Sequence, residues 1–594
     1  MIKLSDYVAK RLVEHGVKHV FMISGGGAMH LNDAVGKCPG LKYFCNHHEQ
    51  ASAIGAEGYS RVSDRLGVSV VTTGPGGTNT LTGVIGQWLD SIPALYISGQ
   101  VKFKTTAMSC PEAGLRQLGD QEINIVEIVK PVTKFAQLLT DPYQVKYVLD
   151  KAIHLATTGR PGPVWIDIPL DIQAALIDEA KLSSYEPGTT AANSDLKAQA
   201  AKTLEMLRAA KRPVIIAGHG IRLAGAQDLF EKLAETLKIP VLATFAGFDL
   251  VPNDSPYFSG RIGTLGTRGG NFSLQNADLV LSLGSRNNIR QASYNWENYA
   301  NRAKKIIVDI DPAELIKPTV KPDLAVQADV KDFMAALLAA VSPADAGDFS
   351  GWLKWCRGRT EKYPVVLEEY KKLPSKVNPY HFVETLTSML PVETSVVAGN
   401  GSACVCLFQA GVVKKGQRMF WNSGCASMGY DLPAAIGACV GSGGEVVCLA
   451  GDGSLMMNLQ ELATAAHYKL PLKIFVLNNE GYVSIRQTQE NFFESRYVAC
   501  DAKSGVGFPD FVKVAAAFGL HTEVIEGIAG MKEKIAGVLA LKGPVLCEVK
   551  LPADYKFMPK LSSEKKPDGS MVSKPLEDLW PFLDREEFQS NILG

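Results

Sequence analysis

Asp452 and Asn479 carry the clearest potential for chemistry in this sequence. Asp452 follows the apolar run 445–450 and lies within Gly451-Asp452-Gly453-Ser454. Asn479 closes a second apolar run, 473–478, and is followed by Gly481 and Tyr482. The residues between repeat apolar positions at helical spacing, so the segment reads as strand, helix, strand. A parallel crossover returns the chain in the same direction and brings both strand ends to one edge of a sheet. Ligands of open α/β sheets bind at that edge. Two hard oxygen donors there suit Mg²⁺, which keeps coordination positions for phosphate oxygens. Gly451 and Gly453 let the backbone approach, and the amino terminus of the following helix favours an anion. An Asp-Gly pair alone is ordinarily a turn, and the second strand end is what makes this one a candidate site.

Other residues say less when read singly. Glu49, in CNHHEQ, stands where a helix begins, a position that favours carboxylates in any case. His47 and His48 precede it, but His-His-Glu is not the His-Glu-x-x-His of a zinc enzyme, and packing is their expected role. Gly399-Asn400-Gly401-Ser402 follows a strand end at 395–398. Met428 alone would be an adaptable core filler. Gly218-His219-Gly220 lacks the continuation of a dinucleotide fingerprint. Arg486 offers five donors suited to a carboxylate or a phosphate.

Holding such residues requires parallel sheets covered by helices. The 594 residues predict roughly three to five domains. Strands at 19–23, 68–72, 94–97 and 164–168 alternate with helices at 49–61 and 81–89 in a first domain, 1–180. A linker at 182–193 leads to a central domain, 194–345, with a helix at 196–210 and strands at 213–217, 279–283 and 305–309. A connecting helix at 352–374 precedes a third domain, 376–552, with strands at 395–398, 445–450, 473–478 and 545–549. The tail, 553–594, has few periodic apolar residues. The expected fold is α/β, three doubly wound parallel-sheet domains and a tail, with no internal repeat at a solenoid period. Lys plus Arg and Asp plus Glu are 61 each, which gives no electrostatic footprint for nucleic acid or a membrane surface. Eleven scattered cysteines read as free thiols in a cytoplasmic protein, and neither a signal peptide nor a membrane span is expected.

GDGSLMMNLQELATAAHYKLPLKIFVLNNEGY, at 451–482, resembles the diphosphate-binding signature of thiamine diphosphate-dependent enzymes. CNHHEQASAIGAEGYSR (45–61), TTGPGGTNTLTGVIGQWLDSIPALYISGQ (72–100) and GRPGPVWIDIPLD (159–171) resemble the aminopyrimidine-binding domain of the acetolactate synthase-like carboligase group. The likeness runs over essentially the whole chain. It implies that Glu49 hydrogen-bonds a pyrimidine nitrogen of thiamine diphosphate and favours the tautomer that takes the C2 proton. Met428, in GCASMGYDLPAAIGA, then props the cofactor into a bent shape, and Gln121 contacts the reacting substrate. Asp452, Asn479 and Gly481 would hold Mg²⁺. Gly399, Asn400, Gly401, Ser402, Gly451, Gly453, Ser454 and Tyr482 would line the cofactor. GTLGTRGGN, LGSRNN and DIDPAEL resemble flavin-binding stretches, which places FAD against Gly218, Gly220, Thr244, Gly266, Arg286, Asp309 and Asp329.

The departures are informative. Arg268 replaces a histidine of acetolactate synthases, and the turn at Arg286 lacks the following phenylalanine. Asp120 replaces another phenylalanine. Arg486 stands where that group has a tryptophan shaping the pocket for a second 2-oxo acid, so Arg486 is expected to bind a different, anionic acceptor. The expected reaction decarboxylates a 2-oxo acid, pyruvate first, and transfers the acyl (acetyl) unit to a second carbonyl compound. The alternatives are acetolactate synthase proper and a thiamine diphosphate-dependent 2-oxo acid decarboxylase. The resemblance also implies a homodimer or homotetramer, with sites shared between chains.

Overall fold

The computed structural model describes residues 1–188, 195–342 and 347–594. The expected linker at 182–193 and the domain limits at 194 and 345 fall wholly or partly outside the described residues. Three six-stranded sheets form, each strand parallel to its neighbours, as expected. The first runs Lys42–Cys45, His19–Met22, Gly67–Val71, Ala94–Gln100, Pro163–Pro169, Phe135–Leu138. The third runs Arg418–Phe420, Ser395–Ala398, Val446–Gly451, Leu472–Asn478, Val545–Lys550, His521–Ile525. Counted along each domain, both have the strand order 2-1-3-4-6-5. The central sheet runs Phe258–Arg261, Val241–Ala243, Pro213–Ala217, Leu279–Leu283, Lys304–Asp309, Leu324–Gln327. Its order, 3-2-1-4-5-6, is that of sheets that bind dinucleotides where the order reverses.

Central strands are apolar on both faces because helices cover both faces. Val446–Ala450 and Leu472–Asn478 are buried throughout. Each buried valine, leucine or isoleucine contributes roughly 1.5–3 kcal/mol. Lys473 is the exception within these runs. Its ammonium leaves the apolar layer to donate to the carbonyls of Leu541 and Gly543 and lies 3.4 Å from Glu445.

The first and third domains meet through the helices Glu49–Ser63 and Asp431–Ser442. A Cβ on Gly58 would stand 2.0 Å from the carbonyl oxygen of Ala434, and one on Gly437 1.9 Å from that of Gly55. The small residues therefore let the two backbones touch, and Glu49 and Met428 lie at the amino-terminal ends of these paired helices.

The expected connecting helix is shorter, Ser350–Lys362, and belongs to the central domain. It packs on Arg268–Gln275, where a Cβ on Gly269 would lie 2.6 Å from Thr360. The tail is also more structured than its sequence suggests. Leu576 and Leu579 are buried, and Arg268 donates to the carbonyls of Leu579 and Pro581. Asn271 donates to Leu576 O and Asn276 to Asn591 O, both at 2.9 Å. Arg268, one of the departures, is thus a strap for the tail. Among the described residues no helix is long and apolar enough to cross a membrane.

Candidate active site

Three strand ends converge in the third domain, at the reversal of strand order between Ser395–Ala398 and Val446–Gly451. Asp452 Oδ1 accepts from Gly453 N at 2.7 Å, and Oδ2 accepts from Asn479 N and Gly481 N at 3.1 Å each. Asn479 Nδ2 reaches Ser402 Oγ and Tyr555 Oη, both at 3.4 Å, and Tyr555 Oη donates to Ser402 Oγ. Asp452, Asn479 and Ser402 are therefore one cluster. Burial pushes the Asp452 carboxyl up to about 6, against the pull of its three N–H donors. A buried carboxylate in that state would be repaid by a cation. Among the described residues no group of three His, Cys, Asp or Glu side chains could hold a metal, so any ion here relies on amide, carbonyl and ligand oxygens besides Asp452.

The glycines of this edge have separate reasons. A Cβ on Gly453 would stand 2.0 Å from the Tyr482 ring, so these two residues pack on each other. Gly481 has φ +147°, and a Cβ there would meet Cys500 O at 2.2 Å. Gly399 is pressed on buried Asp431, whose carboxyl burial pushes up to about 6. Gly401 differs, with φ +105° and no atom within 4 Å of its Cβ position. It opens the helix Ser402–Ala410, whose first two N–H groups, those of Ser402 and Ala403, have no backbone partner among the described residues. This is an anion cradle, and a diphosphate fits it.

Glu49 is half-buried at the first position of its helix, with Oε2 accepting from Asn79 Nδ2 at 2.9 Å. The turn before it is tied to the third domain. Buried Glu461 accepts from Asn46 Nδ2 and His47 N, both at 2.9 Å. His48 Nδ1 caps the helix by accepting from Gln50 N. Asn458 Nδ2 joins Gln50 Oε1 at 3.0 Å to Gly429 O at 2.6 Å, and Gly429 N donates to Ser454 Oγ. The Glu49 turn, the Met428 turn and the Asp452 loop thus share one hydrogen-bond chain. Asn400 Nδ2 holds Ser427 O from the other side at 2.8 Å. Gln121 is exposed at φ +62°, its carbonyl over Gly74, while neighbouring Glu122 is buried and accepts from Ala107 N and Gly119 N.

Arg486 is placed differently from the expectation of a side chain open to an acceptor. It is buried, and Nη2 donates to Asn479 O at 2.8 Å and to Asn479 Oδ1 at 3.3 Å. Sequence reading missed Tyr555, which no periodicity in the tail marks. It also missed Asn458 and Glu461, which lie inside the recognised segment but were read only as helix.

In the central domain a cavity lies where the strand order reverses. Gly220, Thr244, Arg286, Asp309 and Asp329 line it, together with Arg290. Gly218 and Gly266 do not. A Cβ on Gly218 would meet Gly284 O at 2.3 Å and one on Gly266 would meet Arg261 O at 2.7 Å, so backbone packing requires both. Arg160 enters from the first domain, bonded to Ser91, Asp311 and Glu314. Burial pushes the Asp309 carboxyl up to about 6. Both ring nitrogens of His219, on the cavity wall, are buried without a partner among the described residues. Such orphaned atoms fit a ligand rich in donors and acceptors.

Comparison with known proteins follows the same three-domain division. Residues 2–128 match the family described as thiamine pyrophosphate enzyme, N-terminal TPP binding domain. Residues 200–337 match the central domain of that family and 399–549 its C-terminal TPP binding domain. The chain is 33% identical to a probable acetolactate synthase 2, chloroplastic, of Oryza sativa subsp. japonica, covering 94% of this chain and 85% of the relative. It is 31% identical to the acetolactate synthase isozyme 1 large subunit of Escherichia coli strain K12, covering 93% and 95%. A probable acetolactate synthase large subunit of Methanocaldococcus jannaschii is 31% identical, covering 92% of each.

Proposed function

The chain belongs to the thiamine pyrophosphate enzymes, and from that premise we propose that it is a carboligase that decarboxylates pyruvate and passes the acetyl unit to a second carbonyl compound. The observation that carries this reading is the convergence of Ser402, Asp452 and Asn479 beside the Gly401 cradle. Thiamine diphosphate, when bound, supplies the nucleophilic carbon and the electron sink that loss of CO₂ from a 2-oxo acid requires. The N–H groups of Ser402 and Ala403 together with Ser402 Oγ would take the diphosphate, and Asp452, Asn479 and Gly481 would hold Mg²⁺. Met428, fixed through Gly429 and Ser427, gives the apolar prop. Glu49 would hold or give up a proton at its carboxylate toward the bound cofactor, and Asn79 orients that carboxylate. Gln121 contacts the reacting substrate. FAD belongs to the reading, supported by the central strand order, the lining of the cavity and the unpartnered His219 nitrogens.

Assembly into at least a homodimer is supported by the half-exposed Glu49, the exposed Gln121 and the exposed apolar Leu115, Leu118 and Ile123 around it. A cytoplasmic setting is supported by eleven cysteines that are all free.

A second reading, the joining of two 2-oxo acids, is favoured by the position of Arg486. Its engagement with Asn479 removes a main reason for excluding an apolar second substrate. Incubation with pyruvate alone, thiamine diphosphate and Mg²⁺ separates the two. CO₂ release with little acetolactate supports a distinct acceptor, and efficient acetolactate formation supports the second reading. No CO₂ release from pyruvate overturns both.

A further inference from the structure

Beside the helix Val483–Phe492 lies a basin of about 810 Å³, closed on its other side by the tail. Gln487, Phe492, Lys556, Lys560, Trp580 and Phe582 line it. Lys560 and Trp580 are paired through their backbones, with Lys560 N donating to Trp580 O at 3.0 Å and Trp580 N donating to Lys560 O at 2.8 Å. This pairing sets the ammonium groups of Lys560 and Lys556 each 5.9 Å from the Trp580 ring. The basin adjoins the candidate active site through Gln487, which donates to Tyr555 O at 3.0 Å and accepts from Lys560 Nζ at 3.1 Å. Tyr555 in turn touches Ser402 and Asn479.

The charges are unbalanced. Lys574 is paired with Glu564 at 2.6 Å, but Lys556 reaches Glu490 only at 4.0 Å. Among the described residues no carboxylate lies within 4.0 Å of Lys560 Nζ, whose polar contact is the neutral Gln487 amide. A half-buried ammonium flanked by an aromatic face and a second ammonium has lost hydration without gaining a counter-charge. An anion between the two lysines would supply it. Phe492 and Phe582 are 44% and 47% exposed, so the basin also presents apolar faces for the body of a ligand.

We infer that this basin docks the anionic end of the acceptor substrate, a phosphate or carboxylate held by Lys560 and Lys556 with a ring or chain lying against Trp580. The inference rests on the carboligase reading and deepens it by moving the acceptor's counter-charge from Arg486 to these lysines.

The test is calorimetric titration of the full chain loaded with thiamine diphosphate, Mg²⁺ and FAD, so that the cofactor sites are filled. The probes are inorganic phosphate, ribose 5-phosphate, glucuronate and neutral glucose. At least one anion should bind saturably and glucose should not, and the arm that binds distinguishes phosphate from carboxylate. Lys560→Gln should weaken that binding at least tenfold, while Lys560→Arg should restore it. Lys556→Gln, at an exposed position, should weaken it as well. The inference is overturned if no anion binds, if glucose binds as well as the anions, or if both glutamine variants bind as the parent does. CO₂ release from pyruvate is measured separately. Its absence with anion binding intact refutes the carboligase reading alone, and intact release without anion binding refutes the basin alone.

Discussion

The guanidinium of Arg486 donates to the backbone oxygen of Asn479 at 2.8 Å and lies 3.3 Å from its side-chain oxygen. Helical side chains lean toward the amino terminus, so Arg486, in the first turn of Val483–Phe492, reaches back to the loop that carries Asn479. A charge meant for an acceptor thereby becomes a brace for the proposed metal loop. Loss of a hydrogen bond to a charged group costs about 1.5–3 kcal/mol. Arg486→Gln should therefore raise the half-saturating concentration of thiamine diphosphate with Mg²⁺ by roughly 10- to 100-fold, with little change in acceptor preference. Unchanged cofactor affinity with an altered product ratio would return Arg486 to the acceptor pocket.

Glu49→Gln keeps the size of the side chain and leaves an amide oxygen for Asn79. It cannot shuttle a proton. Fold and cofactor binding should survive while turnover falls by about 10²–10⁴-fold, the usual worth of acid–base assistance. Circular dichroism, cofactor titration and CO₂ release measured together test this. Near-parent turnover would remove Glu49 from the mechanism.

Sharing of sites between chains can be tested by mixing two inactive variants, Glu49→Gln and Asp452→Ala, after dissociation. If each site takes Glu49 from one chain and Asp452 from the other, a mixed dimer has one intact site. Random reassortment then restores about a quarter of parent activity, by the symmetry of a two-fold dimer. Sites built within single chains would give no recovery, because every site would keep a lesion.

The protein should be yellow and release flavin on acid denaturation. Arg286→Ala and Thr244→Val, both on the cavity wall, should lower the flavin-to-protein ratio measured by absorbance. A colourless, active protein that takes up no added FAD would end that part of the reading.

What the sequence revealed depended on where a strand lies in its sheet. Interior runs such as 213–217 and 279–283 match the observed strands, because burial on both faces leaves a continuous apolar signal. The six edge strands, Lys42–Cys45, Phe135–Leu138, Phe258–Arg261, Leu324–Gln327, Arg418–Phe420 and His521–Ile525, left no readable run. Most are short or carry charged residues, as exposed edges do, and three-residue Val241–Ala243 was missed for its length. The site follows the same rule. Asp452 and Asn479 end interior strands and were legible, whereas Tyr555 comes from an aperiodic segment. The shared strand order of the first and third domains was invisible, because topology needs no repeated residues.

Asp167 offers a test of the first domain's electrostatics. It is 1% exposed, on the strand Pro163–Pro169, and accepts from Ser98 Oγ at 2.6 Å and Gln100 Nε2 at 3.1 Å. Burial pushes its carboxyl from 3.8 up to about 7, beyond what these two donors recover. The folded state therefore holds this proton more tightly than the unfolded chain does. Between about pH 4 and pH 7 the folded state binds more protons, so this group's contribution to stability falls as pH rises, by up to about 1.4 kcal/mol per pH unit. Above about pH 7 both states are ionised and the loss levels off. Asp167→Asn imitates the protonated acid and does not titrate. Its melting temperature, taken relative to the parent's, should rise from pH 5 to about pH 7 and level off toward pH 8. A difference between the two proteins that stays constant from pH 5 to pH 8 would show that Asp167 does not ionise in that window.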